Sequence, residues 1–280
     1  MTRSYYLFIV SSVDHPIYRA VHKKKKRVLQ KYNVPYTVLL NTAIYDLVID
    51  EDETLFPMDG MNPSMTLKFL HAVRLFFRMY RTWDEVPDYM IRTNATTYIY
   101  FPGLVQLLKT LPRNRVLAGL QHDQGFVNGM IMIFSKDVLR NVLRDPRVFS
   151  EHILKQPDDV ALSKLCEPYC RFYDLSHYFM SEDHRDAEGM YLLNEPQDKK
   201  WFFRIRHESS HREPDLKNWD HLLWVYDRLP SSSTTSSLST PKPLPRSPSY
   251  PILLVLFVLL FLYVIGVILF LLLRPSYLYH

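Results

Sequence analysis

Tyr5-Tyr-Leu-Phe-Ile-Val10 is an unbroken run of apolar, aromatic and β-branched residues near the start of the sequence. Such a run predicts a strand that is buried on both faces, because a strand with one face in water would alternate apolar and polar residues. Helix-like sequence follows from Ile17 to Lys31, and a second strand is predicted at Tyr36 to Leu40. This order of elements is typical of a parallel sheet covered by helices.

The same alternation of strands and helices continues to about residue 165. A long helix is predicted from Pro63-Ser64 to about Tyr80, with Ser64 as a plausible N-cap. The other predicted elements are strands at Tyr45 to Ile49, Tyr89 to Arg92, Val116 to Leu120 and Gly129 to Phe134, and helices at Gly103 to Lys109, Lys136 to Leu143 and Asp159 to Leu165. The predicted fold class is therefore α/β, with a mostly parallel sheet flanked by helices.

The charge and cysteine content narrow the possible functions. The formal net charge is +5, but three of the 34 basic residues lie beyond residue 230, which leaves 31 basic against 29 acidic residues before it. This balance predicts no nucleic-acid partner. Cys166 and Cys170 are the only cysteines, and their spacing favours reduced packing thiols in a reducing compartment over a zinc site.

The C-terminal part of the sequence predicts a membrane anchor. No residue from Ile252 to Leu273 is charged, and a helix of that length reaches about 33 Å, enough to cross a hydrocarbon core of about 30 Å. We predict a domain at 1–229, a disordered Pro/Ser/Thr-rich stalk at 230–251, a transmembrane helix at 252–273 and a short tail at 274–280. A span this close to the end favours tail-anchored insertion, with the head in the cytosol. The stalk could serve as a spacer or as a phosphorylatable segment.

Candidate ligand-binding residues follow the predicted strands, because ligands of open α/β sheets bind beyond the carboxyl ends of the strands. They are Ser11-Ser12, Asp50 to Glu53, and Thr93 to Thr97. Arg92-Thr93-Asn94 combines a cation with two side chains that form hydrogen bonds, as needed to hold a diphosphate or sugar hydroxyls. A structural arginine followed by an asparagine turn is an equally weighted alternative.

Four further groups of charged residues are candidates for a binding or catalytic role. Lys23 to Arg27 is interpreted as a solvated helix face in preference to a lipid or phosphate site. Asp50 to Glu53 lacks the spacing of a calcium loop and is interpreted as the rim of a site. Asp158-Asp159 follows Pro157 at a helix start, where a carboxylate could act as a base or as an ordinary N-cap. Arg204, Arg206 and His207, with Arg212 downstream, offer cations to a phosphate.

The order of several segments is more specific than any one of them. These are Val10-Ser-Ser-Val-Asp-His-Pro-Ile-Tyr18, Met65-Thr-Leu-Lys68, Asp88-Tyr-Met-Ile-Arg-Thr-Asn-Ala-Thr-Thr97, Leu117-Ala-Gly119, Val127-Asn-Gly-Met-Ile-Met-Ile-Phe-Ser-Lys-Asp-Val-Leu139 and Pro157-Asp-Asp-Val160. Together they resemble the GT-A glycosyltransferases related to the β-1,3-galactosyltransferase and Fringe group, especially a branch found in large DNA viruses. The resemblance covers roughly residues 5–226.

The resemblance implies an inverting enzyme that transfers a sugar from a nucleotide-sugar donor, with a UDP-sugar as the first choice, to a hydroxyl of a glycan or glycoprotein. The predicted C-terminal helix would anchor this enzyme to a membrane. By similarity, Asp159 is the candidate base beside Asp158, while Gly129 and residues 135–137 line the acceptor side. The anchor would place the reaction at the cytosolic face of a host or virion membrane. A cytosolic head would leave the sequon at Asn94-Ala-Thr96 unglycosylated.

One departure from the family pattern concerns the metal. Where the family has an acidic triplet that holds a divalent ion such as manganese, this chain has Asn94-Ala95-Thr96, so the metal ligands are unknown. Arg92, Arg204 and Arg206 could neutralise the leaving diphosphate, which we prefer, or Asp50 to Glu53 could hold a metal. A catalytically inactive glycan-binding or protein-binding module, tethered to a membrane, is the alternative function.

Overall fold

A seven-stranded sheet forms the centre of the computed structural model, which describes residues 3–12, 16–41, 53–56, 64–180, 184–186, 189–206 and 212–227. The strands of the structure are β1 (Tyr5–Ser12), β2 (Tyr36–Asn41), β3 (Glu53–Phe56), β4 (Tyr89–Asn94), β5 (Thr97–Ile99), β6 (Val116–Gln121), β7 (Val127–Ser135), β8 (Arg171–Asp174) and β9 (Phe202–Arg204). The large sheet has the order β3-β2-β1-β4-β7-β6-β8, and β5 pairs with β9 in a second, two-stranded sheet. Within the large sheet β7 runs antiparallel to both of its neighbours, and the other described pairs are parallel.

Helices cover both faces of this sheet. They are α1 (Pro16–Lys31), α2 (Ser64–Arg78), α3 (Phe101–Thr110), α4 (Lys136–Val142), α5 (Glu151–Leu154), α6 (Asp158–Cys166) and α7 (Glu213–Asp227), with short 3₁₀ turns at Pro146–Phe149, Glu167–Tyr169 and Ser176–Tyr178. The first core, which contains Leu7 and Ile9 of β1, includes residues of α1, α3 and α7. The second core contains Tyr6 and Phe8, together with residues of α2, α4 and α6. Burial on both faces explains why β1 is apolar throughout.

The predicted fold class is confirmed as a mixed α/β fold with a mostly parallel sheet and helices. The predicted strands and helices that fall within the described residues are present, with ends that differ by a few residues. The short strands β3, β5 and β8 and the helices α5 and α7 were not predicted. Cys166 and Cys170 are free and buried in the second core, which agrees with the predicted packing role.

The prediction that residues 23–27 form a solvated helix face is wrong at one position. Lys23 and Arg27 are exposed, but Lys25 is only 1% exposed. Position 25 lies four residues after Val21 and three before Val28, so it falls on the stripe that α1 buries against the first core. Lys25 is therefore buried because of its position on the helix, although its side chain is basic.

Several predictions fall outside the described residues. These are the strand at 45–49, Asp50 to Asp52 of the acidic run, His207, the stalk at 230–251, the transmembrane helix at 252–273 and the tail at 274–280. Among the residues that the structure does describe, none of the helices has the length and apolar character needed to cross a membrane.

Candidate active site

The carboxyl end of β4 is the centre of the candidate site. β1 lies parallel to β4 with Val10 opposite Asn94, so Ser11 and Ser12, the last residues of β1, lie at the same edge of the sheet. The hydroxyls of Thr93 and Thr97 both donate hydrogen bonds to the carbonyl of Met130 on β7, at 2.9 and 3.1 Å. The turn between β4 and β5 is therefore fixed to the neighbouring strand.

Arg92 connects β4 to the start of α6. Its side chain is only 1% exposed and lies on the face of the second core. Its Nη1 donates to the carbonyl of Gly129 at 2.6 Å, and its Nη2 forms an ion pair with Asp158, the first residue of α6. Its Nε has no hydrogen-bond partner within the described part of the chain. This geometry favours the structural alternative for Arg92 over direct contact with a phosphate.

Asp159 is held beside this arginine by two backbone amides. The N–H of Gly129 donates to its Oδ2 at 3.2 Å, and the N–H of Val160 donates to its Oδ1 at 2.9 Å. A carboxylate has about four acceptor positions, so this half-buried side chain keeps capacity for another donor. A positioned carboxylate of this kind is able to accept a proton from a hydroxyl.

Gly129 makes this arrangement possible because it has no side chain. A Cβ added there would lie 2.8 Å from Nη1 of Arg92 and 3.3 Å from the Cβ of Asp159. The guanidinium therefore occupies the space that any other residue at position 129 would take. The structure thus brings together Arg92, Gly129, Asp158 and Asp159, which the sequence analysis singled out separately.

Lys25 fixes the β4–β5 turn from the opposite face of the sheet. Its Nζ donates to the carbonyl oxygens of Asn94 and Thr97, at 2.9 and 3.0 Å. Burial lowers the pKa of this lysine to about 7. These two carbonyls bracket the turn that replaces the acidic triplet of the resembled family. Sequence reasoning missed this residue, although its position on the buried stripe of α1 was the signal that could have identified it.

Two of the predicted cations, Arg204 and Arg206, lie at the end of β9 and two residues beyond it. Arg204 ends β9, opposite Thr97 of β5, and is half-buried. Arg206 is exposed, and its carbonyl accepts a hydrogen bond from Arg185 at 3.4 Å. The pairing of β5 with β9 therefore brings Arg204 next to the end of β4, a contact that local sequence patterns do not indicate.

Residues 135–137 do not share this edge with Asp159. Ser135 pairs with Tyr89, the first residue of β4, and its Oγ accepts the N–H of Val116 at 2.9 Å. Asp137 accepts the N–H of Arg115 at 2.9 Å. The expectation that these residues line the acceptor side is wrong, because β7 carries them to the opposite edge of the sheet. Gly129, near the start of β7, does lie beside Asp159.

The described residues do not fit a divalent metal ion at this edge. They contain no group of three or more histidine, cysteine, aspartate or glutamate side chains placed to hold one. Of the two carboxylates that the described residues place here, Asp158 forms the ion pair with Arg92, which leaves the carboxylate of Asp159 alone to bind a cation. Hard cations prefer several free oxygen ligands.

Comparison with known proteins identifies the fold. No protein-family model matches the sequence. No curated protein matches it either. Among solved structures, a glycosyltransferase involved in the glycosylation of the major capsid of PBCV-1 matches with a TM-score of 0.50 and 9% sequence identity, covering 78% of this chain and 99% of that one. The described chain therefore has a glycosyltransferase-like fold.

A second solved structure matches more weakly. The catalytic domain of Drosophila β1,4-galactosyltransferase 7, in complex with xylobiose, has a TM-score of 0.28 and 10% identity, covering 50% of this chain and 52% of that one. A TM-score of 0.28 lies below the level that indicates a shared fold. The relation to the β-1,3-galactosyltransferase and Fringe group stays a prediction.

Proposed function

We propose that this protein is a glycosyltransferase that transfers a sugar from a nucleotide-sugar donor, with a UDP-sugar as the first choice, to a hydroxyl of a glycan or glycoprotein. The observation that carries the proposal is the position of Asp159. Two backbone amides hold its carboxylate at the carboxyl edge of β4, in a fold similar to that of a solved glycosyltransferase. Ligands of open α/β sheets bind at this edge.

The proposed reaction is a single displacement. Asp159 accepts the proton of the acceptor hydroxyl while the hydroxyl oxygen attacks the anomeric carbon of the donor sugar. The bond from that carbon to the diphosphate breaks on the opposite side, so the configuration inverts. Arg92 takes part indirectly, because its ion pair with Asp158 fixes the start of α6 and hence the position of Asp159.

The leaving diphosphate needs positive charge or hydrogen-bond donors close to it. We place it over the β4–β5 turn, between Ser11 and Ser12 at the end of β1 and Arg204 at the end of β9. Arg204, with the exposed Arg206 and with His207, supplies the cations in this proposal. An arginine binds phosphate oxygens through two parallel N–H groups and needs no metal to do so.

The membrane part of the proposal rests on the sequence. The apolar segment at 252–273 anchors the protein by its C-terminus, and the head works at the cytosolic face of a host or virion membrane of a large DNA virus. Expression in cells with a glycosylation-competent endoplasmic reticulum tests this topology. A glycan on Asn94 would place the head in the lumen and contradict it.

The enzymatic proposal is tested by incubating the full chain with a panel of UDP-sugars and GDP-sugars, with and without manganese. We expect release of the nucleoside diphosphate from at least one donor, and turnover that resists a chelator would favour the arginines over a metal. Asp159→Asn should lower turnover by about a thousandfold, within the usual range for loss of a general base.

The exposed Asp84 provides the matched control, because Asp84→Asn removes the same charge away from the site. Its turnover should equal that of the unmodified protein. Absence of both nucleotide binding and turnover across the whole panel would reject the enzyme and favour the tethered binding module.

A further inference from the structure

A pocket of about 180 Å³ lies beside the candidate base, between the β6–β7 turn, α6 and β8. Its wall on α6 is formed by Val160, Ser163 and Lys164, and Glu167, the first residue of the 3₁₀ turn that follows α6, continues the same helical spacing. Val160 follows Asp159 directly in the chain. One wall of the pocket therefore begins one residue after the proposed base. The residues of the β4–β5 turn, on which we place the donor, do not line it.

The spacing between the pocket and the base follows from the way β7 and α6 are joined. The N–H of Gly129 donates to Asp159, and the N–H of Val127 donates to Oγ of Ser163 at 3.0 Å. Ser163 lies one helical turn after Asp159, which is about 6 Å along the axis, and Val127 lies about 7 Å before Gly129 along the strand. The distance along α6 and the distance along β7 therefore agree. Each places the pocket residue Ser163 about the width of one pyranose ring from Asp159.

The lining of the pocket combines apolar rings with polar groups at the rim. Phe126 and Phe172 are half-buried, and Phe126 stacks on His122 with ring centroids 4.7 Å apart. Lys164 and Glu167 are exposed at the rim and offer three donors and a carboxylate acceptor. A pyranose ring has the complementary chemistry, since its C–H groups form an apolar face and its hydroxyls surround that face.

The charge of the rim argues against a nucleotide in this pocket. Lys164 is the one cation among the residues that line it, and the carboxylate of Glu167 offsets its charge. A diphosphate would require several cations or backbone donors, whereas a neutral sugar requires one donor and one acceptor of this kind. The pocket therefore suits the acceptor and not the donor.

We propose that this pocket binds one pyranose ring of the acceptor and directs a hydroxyl of that ring to Asp159. The assignment rests on the proposed glycosyltransferase function for its link to catalysis, and it names the acceptor as a glycan. Phe126 and Phe172 hold the apolar face of the ring. Lys164 and Glu167 bind its hydroxyls and fix which one reaches the base.

The experiment uses the full chain and a panel of methyl pyranosides of glucose, galactose, mannose, N-acetylglucosamine, fucose and rhamnose, with saturation-transfer NMR as the measurement. At least one pyranoside should bind. Phe172→Leu and Glu167→Gln should each weaken that binding about tenfold, the effect of losing one good contact. UDP affinity, measured in parallel by calorimetry, should be unchanged in both variants.

Matched controls exist in the same region of the chain. Phe149 is 76% exposed and Glu151 is exposed, and neither lines the pocket. Phe149→Leu and Glu151→Gln make the same chemical changes and should leave pyranoside binding as it is.

Two results would overturn the assignment: no binding of any pyranoside, or binding that neither pocket variant weakens. If no nucleotide binds and no UDP-sugar or GDP-sugar of the panel turns over, while a pyranoside binds through Phe172 and Glu167, the pocket is confirmed and the transferase proposal fails. If UDP binds and every pyranoside fails, the acceptor subsite is wrong and the transferase proposal stands. The two failures are therefore distinguishable.

Discussion

Two buried cations lie against the carboxyl end of β4, one from each face of the sheet, and their surroundings differ. Arg92 has a carboxylate partner, Asp158, together with the carbonyl of Gly129. Lys25 is bound, within the described part of the chain, by the carbonyl oxygens of Asn94 and Thr97, which are neutral dipoles. The two side chains are almost equally buried, at 1% exposed each.

The two sites differ in how much their partners offset the cost of burying a charge. A carboxylate offsets the cost of removing Arg92 from water. Two carbonyls offset less of that cost for Lys25, so burial lowers its pKa to about 7. The α6 side of the site is therefore held by an ion pair, whereas the α1 side is held by a lysine whose charge changes near neutral pH.

The largest expected effect comes from breaking the ion pair. Arg92→Met leaves the carboxylate of Asp158 and the carbonyl of Gly129 without their buried donor. We expect a loss of about 3 kcal/mol in the free energy of unfolding, the lower part of the range for removing one partner of a buried pair, because Asp158 is 21% exposed. Denaturant titration followed by tryptophan fluorescence measures it.

The exposed Arg144 is the matched control for this change, since Arg144→Met removes an arginine that lies in water. Its free energy of unfolding should change by less than about 0.5 kcal/mol. Adding Asp158→Asn to Arg92→Met should recover part of the loss, because it removes the unpaired charge. A loss below about 1 kcal/mol for Arg92→Met would mean that the pair does not hold α6 to β4.

The next largest effect is a pH dependence of the free energy of unfolding, which comes from Lys25. Between its folded pKa of about 7 and its ordinary value of 10.5, the unfolded chain carries a proton on Lys25 that the folded protein lacks. The unfolded state then binds more protons, so the free energy of unfolding rises with pH across this window. Relative to Lys25→Met, the unmodified protein should gain about 1 kcal/mol per pH unit between about pH 7.5 and 9.

The measurement is a set of denaturant titrations at several pH values for the two proteins. Lys23 is exposed on the same helix, so Lys23→Met should show the same pH profile as the unmodified protein. Parallel profiles for the unmodified protein and Lys25→Met would contradict the buried, carbonyl-bound position of this lysine.

The smallest expected effect is at Lys24, the direct neighbour of Lys25. Its ammonium pairs with Asp220 on α7, but the two side chains are 23% and 64% exposed. Lys24→Ala should cost about 0.5 kcal/mol, as is usual for an ion pair at the surface, and the cost should shrink in high salt. If Lys24→Ala lowered the free energy of unfolding as much as Arg92→Met does, the exposure of an ion pair would not determine how much it stabilises the fold.

The sequence predicted the main elements of the fold because their signals are local. The apolar run in β1, the helical periodicity of α1 and the acidic start of α6 each lie within a single element. The pairing of β5 with β9 escaped prediction because the three residues of β5 are too few for a periodic pattern, and because pairing between distant segments has no local signal. The role of Asp159 came from a resemblance, and its two amide hydrogen bonds were visible only in the structure.

The sequence by itself determined two features, a sheet that is buried on both faces and a set of polar residues at the carboxyl edge of that sheet. Both can be predicted locally, because an apolar run and the polar residues that end it lie within a few consecutive positions. The tertiary structure decided which charges are paired. Arg92 meets Asp158 across 66 residues, and Lys25 reaches Asn94 across 69. Neighbouring residues carry no signal of contacts over such separations. The helical periodicity of α1 marks position 25 as buried, but only the folded chain shows which carbonyls bind Lys25 there, while Lys23 stays exposed.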